Sequence, residues 1–159
     1  TNRIPYNFRK INVSDYFGDC AEEVGLDLGA KNIVFQYANY VDEQVMVIAD
    51  PEQIRRVVNN IISNSCKYFD KSQCFINMRI KDVGDFIQVE IEDNGKGIAD
   101  CAKEKIFDMF YTADSKVADS RRGLGLGLFL CKSIIQAHGG TIQVADNVLH
   151  LHCRQRRLL

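Results

Sequence analysis

This sequence has no apolar run long enough to cross a membrane as a helix. It has no signal peptide, so nothing marks it as exported. It has no charge excess: 20 Lys and Arg against 21 Asp and Glu leave a net charge of −1, which offers nucleic acid or an anionic membrane surface no footing. Its six cysteines include no CxxC pair, and several sit inside apolar patterns. Reduced, mostly buried thiols in a cytoplasmic setting fit that spacing better than disulfides or a zinc site. Histidine is scarce and late, at 138, 150 and 152 only. Internal repeats and interdomain linkers are also missing. What remains is the composition of an ordinary globular protein of about one domain, expected over residues 1–159.

The pattern along the chain predicts the elements. Residues 1–7 read as an irregular lead-in, and Phe8–Val13 as a short strand. Ser14 can cap a helix from Asp15 to Leu28, with Phe17, Cys20, Ala21, Val24 and Leu28 on one side and Gly29 to end it. Asn32–Tyr40 and Val45–Ala49 read as strands, joined as a hairpin through Val-Asp-Glu. Cys74–Val83 alternates, Gly84-Asp85 turns, and Phe86–Glu92 returns. Asp100 can cap a short helix to Phe107. Asp108–Arg122 reads as a mobile loop, Leu128–His138 as a helix stopped by Gly139-Gly140, and Thr141–Ala145 as a strand. Strands, helix, strands, helix and strand in this order suit a two-layer α/β sandwich with a largely antiparallel sheet.

Between the expected hairpins lies the helix Asp50–Phe69. Asp50 suits the N-cap, Pro51 the first position, and Gln53 the capping-box position. Ile54, Val57, Val58, Ile61, Ile62 and Phe69 make its apolar face. Gln53, Arg56, Asn60, Asn64 and Lys67 fall side by side in an arc of roughly 80°. Asn is a poor helix former because its side chain competes for the backbone. Two readings are open: a solvated stripe, or a face offering amide oxygens to a hard metal ion and positive charge to an anion.

Three further stretches carry candidate chemistry. Asp93-Asn94-Gly95-Lys96-Gly97 closes a strand. It is either an Asx-type turn or a carboxylate with room for a flat ligand beside it. Arg122 to Leu128 places glycines at 123, 125 and 127 just before a helix, as a hinge or as a phosphate cradle; it is neither a P-loop nor a Rossmann fingerprint. Phe107, Phe110 and Tyr111 are spaced for core packing or for a latch over a pocket.

Asn60-x-x-x-Asn64-x-x-Lys67-Tyr68, Asp93-x-Gly95-x-Gly97, Phe107-x-x-Phe110 and Gly123-x-Gly125-x-Gly127, in that order within residues 9–146, resemble the nucleotide-binding boxes of bacterial sensor histidine kinases. These belong to the superfamily of gyrase, the ninety-kilodalton heat-shock chaperones and mismatch-repair ATPases. The resemblance implies an α/β (α+β) two-layer sandwich with a mixed sheet on about three helices and a mobile ATP lid. It implies ATP and Mg²⁺ as ligands, with Asn64 on the metal and Asn60 and Lys67 near the phosphates as the catalytic set. Tyr68 and Phe110 would wall the nucleotide. Asp93 would receive the adenine amine, with Gly95, Gly97 and Ile98 shaping that pocket. Arg122, Gly123, Leu124, Gly125, Leu126 and Gly127 would form the phosphate side of the lid, with Arg121, Arg122 and Lys116 candidates for the γ-phosphate.

In the ATPase branches a Glu stands where this chain has Asn60, and an amide cannot act as a base. The resemblance therefore implies transfer to a protein histidine on a separate dimerisation domain of a homodimeric full-length kinase, with a response regulator downstream. An ATP-driven clamp and a non-catalytic nucleotide module are the alternatives. The isolated domain is expected to be monomeric and cytoplasmic, including as part of a membrane-bound sensor. The chain departs from the family in two places. It has no dimerisation helix with an acceptor histidine, and His138 is expected to serve a helix end. Residues 147–159 carry a basic cluster where the family has a last apolar strand, so that strand is expected to be altered or displaced.

Overall fold

The structure, a computed structural model, describes residues 4–66, 72–95, 107, 118–145 and 148–154. The expected helix at 100–107 falls outside them, apart from Phe107, and so does most of the expected loop at 108–122.

β1 (Arg9–Asn12) runs directly into α1 (Val13–Ala30). Asn12 is the N-cap, and its Oδ1 accepts the Asp15 N–H at 2.9 Å. As the last residue of β1 it already has the extended backbone a cap needs. Ser14, expected in that role, lies inside the helix; its hydroxyl donates to the Val41 carbonyl and accepts from Asn39. Gly29 does not end the helix either. The chain turns at Asn32, whose φ is +60°, and Ile33 and Asn32 donate to the Leu28 and Gly29 carbonyls at 3.0 and 3.1 Å. Asn tolerates this left-handed conformation best after Gly. The buried side of α1 includes the five residues expected there.

β2 (Val34–Asn39) and β3 (Met46–Ala49) do not form the expected hairpin. β3 pairs antiparallel with β1, whereas β2 pairs parallel with β4 (Phe75–Asp82). The connection explains this. Val41 is buried in the core and Asn39 is tied to Ser14, which draws the chain off the sheet after β2. α2 (Pro51–Cys66) then completes a crossover to β4. The hairpin of β4 and β5 (Phe86–Asp93) forms as expected, turning at Gly84 with φ +90°.

α3 (Ala118–Ala137) ends at a turn in which Gly139 has φ +72° and Gly140 donates to the Ile135 carbonyl. β6 (Thr141–Ala145) follows. The last strand is present and in place. β7 (Val148–Arg154) lies between β5 and β6, giving a five-stranded order β2-β4-β5-β7-β6. The expectation of a displaced strand rested on the basic cluster. The strand alternates, and His150 falls opposite Glu90 on the polar face.

One face of this sheet is apolar and carries the helices. Ile76, Met78, Ile80, Ile87, Val89 and Ile91 are buried against Ile54, Val57, Val58, Ile61 and Ile62 of α2 and against Cys131, Ile134 and Ile135 of α3. Each such side chain contributes about 1.5–3 kcal/mol by leaving water. The opposite face is polar. There Glu90 takes Arg79 at 3.3 Å and Lys81 at 2.6 Å. Burial alone would raise its carboxyl, but the two cations hold it below the usual range. This is the mixed two-layer sandwich expected. Among the described residues no helix is long and apolar enough to cross a membrane.

Candidate functional site

The site is built on α2, and the start of α2 is fixed from far along the chain. Asp50, 3 % exposed, is the cap: its Oδ1 accepts the Glu52 and Gln53 N–H groups at 3.1 and 3.2 Å, and its Oδ2 accepts the Asn7 N–H at 2.8 Å. The reciprocal bond expected from Gln53 does not form. The Asp50 N–H donates instead to His138 Nε2 at 3.0 Å. His138 Nδ1 lies 2.7 Å from the Ile134 carbonyl, so Nδ1 carries the proton and Nε2 is the acceptor. Tyr6 and Phe8 pack against this ring. His138 thus has the helix-end role expected of it, and it also joins α3 to the start of α2.

Along α2, Asn60 and Asn64 are half-buried and Arg56 is exposed. α3 packs on the same helix. Cys131 of α3 lies against α2, with its Sγ 3.8 Å from the Val57 carbonyl. Farther along, Ser65 lies beside the Asp93 carboxylate at the end of β5. Asp93 Oδ1 also accepts the Gly95 N–H at 2.9 Å, so the Asx-type turn is present. Burial pushes the Asp93 carboxyl above its ordinary range, against the pull of the Gly95 and Ser65 donors. Asn94 pins this corner to the start of β4: its Oδ1 accepts from Phe75 and its Nδ2 donates to the Gln73 carbonyl, at 2.9 and 2.8 Å.

The structure therefore places Asn60 and Asn64 on α2 and Asp93 at the end of β5, which packs on it, with Gly95 just beyond. Lys67, Tyr68, Gly97, Ile98, Phe110, Tyr111 and Lys116 lie outside the described residues. Gly123, Gly125 and Gly127 are not in a loop ahead of a helix. Together with Arg121, Arg122, Leu124 and Leu126 they belong to the first half of α3. The buried stretch from Leu128 to Ile135 supplies a helical nucleus, and extending it backward through glycine costs only about 1 kcal/mol per residue relative to Ala. In this arrangement the glycine N–H groups serve the helix ladder; the N–H groups without an intrahelical partner are those of the first turn, from Ala118. Phe107 is core, as aromatic spacing suggested.

Ser65, Asn94, Cys131 and the cap acceptor in His138 were not legible as site residues. Ser65 and Cys131 occupy apolar-face positions of their helices, and a polar atom there was the available signal.

The residues present fit a nucleotide with a hard cation. Asn60 and Asn64 bring neutral amide oxygens, which Mg²⁺ accepts beside phosphate oxygens and water. Gln53, on the same stripe, has its Oε1 buried without a partner among the described residues, so the stripe has polar capacity its own fold does not use.

A two-layer sandwich with a polar stripe on α2 and a carboxylate at the end of the strand packed on that helix is the class that fold and site define. The family described as "Histidine kinase-, DNA gyrase B-, and HSP90-like ATPase" matches residues 49–156. The chain belongs to this family, as an ATP-binding catalytic domain of the histidine-kinase kind. It is 39% identical over 105 residues to sensor protein KdpD of Clostridium acetobutylicum, covering 66% of this chain and 12% of that one. It is 32% identical over 136 residues to sensor histidine kinase CusS of Escherichia coli, covering 86% of this chain and 26% of the relative. The chain therefore spans an eighth to a quarter of the length of these curated relatives. Among solved structures, the catalytic domain of histidine kinase ThkA superposes with a TM-score of 0.76 at 25% identity, over 94% of this chain and 96% of that one. The mycobacterial sensor histidine kinase MprB shares the fold, with a TM-score of 0.75 at 20% identity over 96% of this chain and 100% of that one.

Proposed function

We propose that this chain is the catalytic part of a sensor histidine kinase, holding ATP·Mg²⁺ and passing the γ-phosphoryl group to a histidine of a separate dimerisation domain. The single observation that carries this is the chemistry of the α2 stripe. Attack by water needs a base near the phosphate, and Gln53, Arg56, Asn60 and Asn64 include none. Transfer to a protein nucleophile needs mainly positioning and charge neutralisation. When bound, Mg²⁺ supplies that neutralisation. Asn64, with Asn60 beside it, would hold the metal side. Lys67, Arg121, Arg122 and Lys116 would meet phosphate charge, Tyr68, Ile98 and Phe110 would line the nucleotide, and Asp93, with Gly95 and Gly97, would take the adenine amine. Gly123, Gly125 and Gly127 would let the start of α3 unwind and turn its N–H groups toward phosphate.

His138 is not the acceptor in this reading, because it is buried and both ring nitrogens are hydrogen-bonded. The acceptor belongs to the rest of the full-length protein, read as a cytoplasmic homodimer or the cytoplasmic part of a membrane sensor, with a response regulator downstream. A solved structure of histidine kinase ThkA is in complex with the response regulator TrrA, and KdpD and CusS are sensor proteins by name, which supports this placement. The test is to mix this chain, ATP·Mg²⁺ and the separately produced dimerisation domain. Label on that domain supports the reading; steady phosphate release by this chain alone refutes it in favour of a clamp ATPase.

A further inference from the structure

β2 (Val34–Asn39) is one edge of the five-stranded sheet. Among the described strands it pairs with β4 alone, in a parallel register that runs unbroken from Val34 to Asn39. The Val34 and Tyr40 N–H groups donate to the Cys74 and Ile80 carbonyls at 3.0 and 2.8 Å. Along such a strand, residues that bond the neighbour alternate with residues that do not. The backbone groups of Phe35, Tyr37 and Asn39 therefore face away from β4, and they have no backbone partner among the described residues. Folded proteins protect open edges with Lys, Pro or a bulge. From Asn32 to Val41 this chain has no charge and no proline. Val34 and Tyr40 are 48 % and 65 % exposed.

The two faces beside this edge differ. On the open face a cleft of about 500 Å³ is lined by Gln36, Ala38, Tyr40, Asn77 and Arg79. Arg79 is already held by Glu90 and Glu92, so the cleft gives an anion no free charge. On the other face α1 runs along β2: the Asn39 amide donates to the Ser14 hydroxyl at 2.9 Å, and a Cβ on Gly25 would lie 3.4 Å from the Phe35 ring. At about 100° per residue, Ser14, Gly18, Gly25 and Gly29 share this side of α1. A Cβ on Gly18 or Gly29 would meet nothing within 4 Å, so this side leaves room for a strand laid against β2. Next around the helix come Asp15, Asp19 and Glu22, exposed and without an ion-pair partner among the described residues, whereas Glu23 and Asp27 are paired to Arg55 and Lys31. α1 holds five carboxylates and no cation.

We propose that the β2 edge takes up an extended segment of a partner protein as an added strand, and that Lys or Arg alternates with apolar residues in that segment. The backbone groups of Phe35, Tyr37 and Asn39 supply the ladder. One set of the segment's side chains lies beside Val34, Ala38 and Tyr40. The other points to the helix layer, where long cationic side chains pass the glycines to reach Asp15, Asp19 and Glu22. A second copy of this chain fits less well, because pairing two β2 edges would bring two acidic α1 helices together.

The test uses capped synthetic peptides and the whole chain, read by calorimetry and amide NMR. A peptide alternating Lys and Val should bind and move the Phe35, Tyr37 and Asn39 amide signals. Methylating alternate backbone nitrogens of that peptide should abolish binding in one phase and spare it in the other, because an added strand turns one edge to β2. A Glu–Val peptide should bind wild type about tenfold more weakly, and so should the Lys–Val peptide the Asp19→Lys, Glu22→Lys double variant. No binding of the Lys–Val peptide, signals that move away from β2 only, or equal effects of the two methylation phases would overturn strand addition. Equal affinity for the Glu–Val peptide would overturn the basic partner. Concentration-dependent dimerisation that Val34→Lys abolishes would overturn it in favour of a second copy.

Discussion

Asp93→Asn should separate binding from stability. The carboxylate is held by the Gly95 N–H at 2.9 Å and has Ser65 beside it. An Asn in the same rotamer keeps an oxygen for Gly95, but its second branch becomes an NH₂. In the proposed role of Asp93, the adenine amine would then meet a donor in place of an anionic acceptor. Losing one charge-assisted hydrogen bond costs about 1.5–3 kcal/mol, or roughly ten- to 150-fold in affinity, and the donor-to-donor contact adds to that. Folding should respond differently. Burial raises the Asp93 carboxyl in the folded state, so the folded protein binds this proton more tightly than the unfolded chain. Its contribution is fully present below the ordinary carboxylate value and is lost as pH rises through the raised one. At neutral pH the charged form is therefore a burden, and the neutral amide should leave the urea midpoint equal to or above wild type. Calorimetry with ADP and urea melts at neutral pH measure the two sides. ADP affinity equal to wild type would refute the adenine role; a lowered midpoint would refute the account of the buried charge.

Two further outcomes test other parts of the site. Asn64→Ala should keep ADP affinity in EDTA and remove the gain from Mg²⁺; an equal loss in both conditions, read by the same titration, would exclude a metal role. His138→Phe keeps the ring against Tyr6 and Phe8 but leaves the Asp50 N–H unpaired, so urea unfolding should show a loss of about 1–3 kcal/mol; no loss would mean that another group satisfies the cap.

Local patterns were legible and long-range choices were not. Alternation marked the β4–β5 hairpin, and helical spacing marked the buried sides of α1 and α2. Pairing was hidden because it is decided between distant segments: β2 joins β4 rather than its neighbour β3. Caps were misplaced where two suitable residues stood close together, Asn12 near Ser14 and Asn32 near Gly29. The Gln53 box lost to His138, 88 residues from Asp50, a competitor no local pattern could reveal. β7 was discounted for its basic residues, although Leu149 and Leu151 fall in register with Ile91 and Val89. At the site, residue types and order singled out Asn60, Asn64 and Asp93 as candidates. Ser65, beside Asp93, and Cys131, against α2, lay on faces read as packing.

The central claim is that the polar stripe of α2, Gln53, Arg56, Asn60 and Asn64, carries no base, so phosphate leaves ATP toward a protein and not toward water. The direct measurement is the fate of the γ-phosphate in one reaction with this chain, ATP·Mg²⁺ and the dimerisation domain. The account predicts acid-labile label on a histidine of that domain, none on His138, and little free phosphate when the domain is omitted. Steady phosphate release without the domain, lost in Asn60→Ala, would contradict it.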